Sequence, residues 1–161
     1  MQKLSPTRVL PLALTALSLS SACANTTHQV ESDADMSAVK RIYVQRHADD
    51  GRDIAAVIAD VLREMGFEAA SGRDNPTAPQ YDAALTYWDR WSWDVTMYLT
   101  RLDIELRDLH HAKLLARAEA FRGSLDRQSP RRTAQKLLYP LFGREVPAKQ
   151  TAPEPSTAPA D

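Results

Sequence analysis

From Ala84 to Glu105 apolar and polar side chains alternate, the period of strands with one face in a core. Folding AALTYWDRWS back on MYLTRLDIELRD predicts an antiparallel hairpin with Ser92 opposite Met97 and a four-residue loop from Trp93 to Thr96. Trp91 then faces Tyr98, Asp89 faces Thr100, Tyr87 faces Leu102 and Leu85 faces Ile104, all on the core side. The other side pairs Arg90 with Leu99, Trp88 with Arg101, Thr86 with Asp103 and Ala84 with Glu105. A two-residue loop at Asp94-Val95 would place a β-branched residue at positive φ, which disfavours it.

Elsewhere the period is 3.6. Ile54, Val57, Ile58, Val61, Leu62 and Met65 form one helical stripe, with an N-cap available from HADDGRD before it and Gly66 placed as its stop. Ser129 as cap, Pro130 in the first turn and the stripe Ala134, Leu137, Leu138 and Leu141 predict a second helix, ended or kinked by Pro140. Val39, Ile42 and Val44 suit a strand, and Phe67 to Ala70 a shorter one. LHHAKLLARAEAFRG fits helix by propensity and strand by alternation, and periodicity does not separate them.

The termini carry no such periodicity. MQKLSPTR, the apolar run VLPLALTALSL and the small residues SSACAN follow the charged, apolar, small order of a secretory signal, with a run too short to span a bilayer. Cys23, the only cysteine, has no internal disulfide partner, and SSAC resembles a bacterial lipobox in which the cysteine is acylated, with Ser20 where the usual leucine stands. Residues 1–22 are thus expected to be a signal peptide and Cys23 a lipidated, palmitate-bearing N-terminus; an ordinary cut after Ala24 is the alternative. In lipoproteins of this type, Ala24 after the cysteine implies the outer membrane, facing the periplasm.

Residues 23–38 read as a flexible polar tether, 39–143 as one α/β domain, and 144–161 as a disordered Pro/Ala/Thr-rich tail. The chain has 20 basic and 21 acidic residues; losing Lys3 and Arg8 leaves 18 against 21, near −3. That balance excludes a nucleic-acid footprint.

The segment TYWDRWSWDVTMYLTRLDIELRD, with LLARAEAFRGSL and a Pro-initiated helix ending LYPLFG, resembles a group of small, uncharacterised proteobacterial envelope lipoproteins. Their shared motif, W-x-W-D-x-x-x-Y-L/M, is matched by Trp91, Trp93, Asp94, Tyr98 and Leu99. The resemblance implies a strand from Lys113 to Arg122, reached in that family through a glycine-bearing turn that Asp108 to Ala112 lacks. It also implies an α/β fold: a single small mixed sheet, order β-α-β-β-β-β-α, with the helices on one face. That order is similar to lipoprotein activators of peptidoglycan synthases, the curli secretion lipoprotein and the TolB N-terminal domain, which bind and assemble rather than catalyse.

Candidate chemistry is sparse. No nucleophile elbow or phosphate loop occurs, so neither a cofactor nor nucleotide use is expected. His110 and His111 read as solvated turn residues, and with His28 and His47 they mark no metal site. Asp89 and Asp94 are the candidate acids of a small periplasmic hydrolase, although hydrogen bonding to Thr100 and to turn amides gives each a structural role. Trp88 stands on the solvated side, either stacked by Arg101 or anchoring a partner. The expected function is a non-enzymatic binding or assembly module. It would use Trp88, Arg90, Arg101 and Trp93 toward an envelope protein, with the lipid as its membrane contact; a homo-oligomeric structural lipoprotein is the other alternative.

Overall fold

The computed structural model describes residues 25–77 and 79–148. The expected signal peptide, Cys23 and the tail beyond residue 148 lie outside these residues. The elements are β1 (Asn25–Val30), β2 (Arg41–Gln45), α1 (Ile54–Glu64), β3 (Glu68–Gly72), β4 (Ala83–Asp94), β5 (Thr96–Asp108), β6 (Leu114–Phe121) and α2 (Pro130–Leu141). They form one mixed sheet in the order β1-β6-β5-β4-β2-β3, with β2 parallel to β3 and β4 and the remaining pairs antiparallel. This is the expected α/β class, with one strand more than the sequence suggested.

The added strand is β1. Residues 25–30, expected within a flexible tether, pair along β6 from Asn25↔Phe121 to Val30↔Ala116. The sheet edge supplies backbone partners that composition does not reveal. His28 Nε2 meets the Lys136 carbonyl at 2.9 Å, and Arg122 Nη2 donates to Thr26 Oγ1 at 2.9 Å, so the strand is tied to α2 and to β6 as well.

Both helices pack on one face. Ile54, Ile58, Val61 and Leu62 of α1 and Ala134, Leu137, Leu138 and Leu141 of α2 are buried against Ile42, Val44, Leu85, Leu102, Ile104 and Leu106 of the sheet. Burying each large aliphatic side chain contributes roughly 1.5–3 kcal/mol. The β6 face toward this layer is Ala116, Ala118 and Ala120, whose small side chains let α2 approach closely. A core role for those alanines is why the segment is a strand despite its helical propensity.

The caps differ. Ser129 Oγ accepts from Arg132 N at 3.2 Å, and Pro130 occupies the first turn of α2, as expected. Pro140 lies inside the last turn of α2 without ending it. At α1 the residue in the N-cap position, Asp53, makes no side-chain cap bond and has φ 56°; the buried Asp50 does the capping. Gly66, at φ 86°, closes α1 in the left-handed conformation. The glycine-free turn before β6 is made by Ala112 at φ 53°.

The hairpin register departs from expectation. From Ala83↔Asp108 to Arg90↔Arg101 the pairs are offset by two from the expected register, so Leu85, Tyr87, Leu102 and Ile104 keep the core face. A bulge follows, and the tip pairs Trp91↔Leu99, Ser92↔Tyr98, Trp93↔Met97 and Asp94↔Thr96. The extra residue is Thr100, whose Oγ1 donates to the Arg90 carbonyl at 2.9 Å rather than to Asp89. Leu99 therefore takes the core position assigned to Tyr98. The four-residue loop is absent: Val95 alone turns the chain, at φ 62°.

Candidate functional site

β2 ends at Gln45 while its parallel neighbour β4 continues to Asp94, leaving the upper edge of β4 without a strand beside it. The loop from Arg46 to Asp53 fills that place. Because Val44 pairs with Leu85, the residues after β2 arrive beside Tyr87 and Asp89.

Asp50 is the centre of the inner part and is only 3% exposed. Its carboxylate accepts from Tyr87 Oη at 2.6 Å and from the amides of Arg52 (3.2 Å), Ile54 (3.0 Å) and Ala55 (3.1 Å). Burial alone would raise its pKa, but the Tyr87 hydroxyl and these amides outweigh it and bring it down to about 2. Burial, with the hydrogen bond that the hydroxyl donates to Asp50 second, raises the Tyr87 pKa above its ordinary value. Arg46 caps the arrangement, donating to the Asp50 carbonyl at 2.7 Å and pairing with Asp53 at 2.9 Å.

The outer part centres on Asp89. His47 Nε2 lies 2.9 Å from Asp89 Oδ1, and Trp91 Nε1 donates to Asp89 Oδ2 at 2.6 Å. Trp91 packs against the core edge, and the Arg52 guanidinium covers its ring at 4.5 Å. The His47 ring lies 4.9 Å from Tyr87 and 5.9 Å from Trp88, the second pair stacked at 29°. Sequence separation hides this partnership: His47 and Asp89 are brought together only by the parallel β2–β4 pairing.

Of the two readings of Trp88, the stack with Arg101 does not form. Trp88 pairs with Asp103 across the strands and rests on His47, leaving 66% of its surface exposed. Arg101 lies instead between Asp103 (2.9 Å) and Glu119 of β6 (2.9 Å). Arg90 is exposed directly opposite Arg101, and no carboxylate pairs with it among the described residues. Beside them a shallow cleft of about 430 Å³ is lined in part by Arg101, Asp103, Glu105, Arg117 and Glu119. Trp88, Arg90 and Arg101 thus share the sheet face that carries no helix among the described residues. Trp93 stands apart from them at the hairpin tip.

As chemistry, the His47–Asp89 pair has the form of a base and its orienting carboxylate. No serine, threonine or cysteine side chain hydrogen-bonds His47 among the described residues, and both Asp89 oxygens are engaged. Asp94 accepts from Arg127 Nη2 at 2.8 Å rather than from turn amides. The two candidate acids lie on opposite sides of the bulge, Asp89 hydrogen-bonded to His47 and Asp94 ion-paired with Arg127. His111 is exposed and holds Asp108 Oδ2 at 2.8 Å, and no group of three or more His, Cys, Asp or Glu residues suited to a metal occurs among the described residues.

No protein-family model matches the chain, and no curated protein matches it in sequence. Among solved structures it is similar to the PelC dodecamer from Paraburkholderia phytofirmans, in a singly substituted form (TM-score 0.53, 17% identity) and in a second crystal form (TM-score 0.52, 17% identity). In each comparison 76% of this chain and 100% of the PelC chain are covered. At this identity the likeness is one of fold.

Proposed function

We propose that this chain is an envelope lipoprotein, acylated at Cys23, that acts as a binding and assembly module through the helix-free face of its sheet. One observation carries the reading: Trp88 projects from that face largely exposed, yet its ring is oriented by His47, which Asp89 holds in turn. A large aromatic side chain held in one orientation loses little entropy on meeting a partner, which is the property of an interface anchor. Arg90 adds a cation without an ion-pair partner among the described residues, and Arg101, Asp103 and Glu119 form a mixed-charge rim that suits a protein surface. The engagement of Asp89 by His47 and Trp91 gives it a positioning task and weakens the hydrolase alternative.

The test is crosslinking and recovery from native membranes, comparing the intact chain with Trp88→Ala. A partner captured by the first and lost from the second supports the face; the same partners from both would refute it. Intact mass of the membrane-bound protein tests acylation of Cys23 independently.

Self-assembly is a second reading, favoured by the dodecamer named for the PelC structures of similar fold. Here β1 and β3 are the sheet edges, and β1 is mostly exposed. Native mass of the delipidated protein distinguishes an oligomer from a monomer that needs a different partner.

A further inference from the structure

We infer that the β4–β5 tip is a second membrane anchor, inserting into the lipid surface beside the acylated Cys23. The inference rests on the lipoprotein reading above and adds where the domain touches the bilayer.

The apolar flank of the hairpin outruns its helices. Leu99 is the last fully covered residue on the core side of β5; beyond it the same flank continues as Trp93 opposite Met97, with Val95 at the apex. Trp93 is 72% exposed and Val95 83%. Leu125, 86% exposed, lies in the loop between β6 and α2, which Arg127 fastens to the tip by donating to Asp94 and to Thr96 Oγ1 (3.0 Å). Phe121, at the end of β6, is also exposed.

Val95 sharpens the point. A β-branched residue in the left-handed region opposes the backbone preference, and glycine or asparagine would serve the turn better in water. Pairing lowers the cost of bringing charge to the interface: Asp94 is paired with Arg127, and Asp126 with Arg122, so the described carboxylates nearest the tip each carry a counter-ion.

The chain direction names the occupant. β1 is antiparallel to β6 and β6 to β5, so β1 runs with β5 and enters the sheet from the tip end. Cys23 precedes Asn25 by two residues, a reach of at most about 7 Å. Asn25 is level with Phe121 and Arg101, and Thr96 lies five positions nearer the tip, roughly 15 Å along a strand. The apex therefore extends about 8–10 Å past the nearest level Cys23 can occupy, which matches the roughly 5–10 Å depth at which apolar groups enter a membrane interface. Tryptophan favours that layer. With lipid and tip both engaged, the strands stand toward the bilayer and the Trp88 face looks sideways, open to a partner in the same membrane plane.

The experiment uses the full acylated chain carrying Val95→Cys. Acylation converts the Cys23 sulfur to a thioether, leaving residue 95 as the reactive thiol for an environment-sensitive fluorophore. A matched protein carries the label through Arg107→Cys, at the far end of β5. In phosphatidylethanolamine/phosphatidylglycerol vesicles the first label is expected to shift to the blue and to be quenched several-fold more by nitroxide-bearing lipid than the second. Equal quenching at the two positions overturns the inference while leaving the lipoprotein reading intact. Shielding of residue 95 in native membranes but not in protein-free vesicles assigns the tip to a protein partner and overturns it too. Should intact mass show Cys23 unacylated, the lipoprotein reading fails separately, and the tip is judged from the Cys23→Ser chain. Vesicle binding that Trp93→Asp weakens roughly tenfold, with Trp88→Ala unchanged, then sustains insertion, and its absence ends it.

Discussion

The two ends of the β4–β5 ribbon are made alike and used differently. Below the bulge at Thr100 its apolar flank lies under the helices, and Tyr87 reaches the carboxylate that caps α1. Above the bulge Leu99 is still covered, and past it the same flank continues through Trp93 and Met97, which are exposed. Each end has an aspartate in ionic contact, Asp50 with Arg46 and Asp94 with Arg127, but the first is buried and the second largely exposed. Alternation along a strand therefore records which side is apolar, and the neighbouring elements decide whether that side becomes core or surface.

The largest test of this contrast is a pair of substitutions. Asp50→Ala removes the acceptor for three amides and the Tyr87 hydroxyl at once, leaving buried donors unsatisfied. The expected loss is about 3 kcal/mol of unfolding free energy. Asp94→Ala breaks an exposed ion pair, and the expected change is below about 0.5 kcal/mol. Urea unfolding of both proteins at neutral pH measures the difference, and comparable losses would erase the distinction between the two ends.

A second test uses pH. The folded pKa of Asp50, about 2, lies below its ordinary 3.8, so its contribution is complete above pH 4 and disappears as pH falls from about 4 to about 2. Tyr87→Phe removes one donor, and the folded pKa should rise toward the ordinary value. The expected cost is about 1–2 kcal/mol at pH 7, with the gap to the unsubstituted protein narrowing between pH 4 and pH 2. A gap constant across that range would mean that the hydroxyl acts through packing alone.

What could be read in advance follows the same division. The helices were legible because a stripe of apolar residues and a local cap lie within one segment: Ser129, Pro130 and the Ala134–Leu141 stripe need no distant partner. The lower ribbon was legible by face but not by register, since an offset of two preserves which side chains point inward. The bulge was not legible, and it moves Tyr98 off the core face because one inserted residue inverts everything beyond it. β1 was hidden by its polarity: Thr26, His28 and Val30 alternate, yet Thr26 and His28 face polar partners on Arg122 and Lys136 rather than apolar core. In the site, Trp88 as a solvent-side aromatic could be found from alternation. Its support by His47 could not, because that contact depends on β2 running parallel to β4.

The remaining expected effect has the opposite sign. Val95 turns the hairpin at φ 62°, a conformation that costs an L residue roughly 1–2 kcal/mol, and glycine adopts it freely at the expense of a larger unfolded-state entropy worth about 0.5–1 kcal/mol. Val95→Gly should therefore stabilise the isolated fold by about 0.5–1 kcal/mol, raising Tm by a few degrees. If the apex were only a turn, that substitution would carry no penalty elsewhere. If it is a membrane contact, the same protein should unfold at higher temperature yet show weaker tip insertion, read as reduced lipid quenching of tryptophan fluorescence in a Trp88→Phe background. There the remaining indoles are Trp91, held at the core edge, and Trp93, which is exposed. Stability and insertion moving in opposite directions would place the strain at Val95 in the service of the lipid surface; a gain in both would return the tip to an ordinary turn that happens to carry a valine.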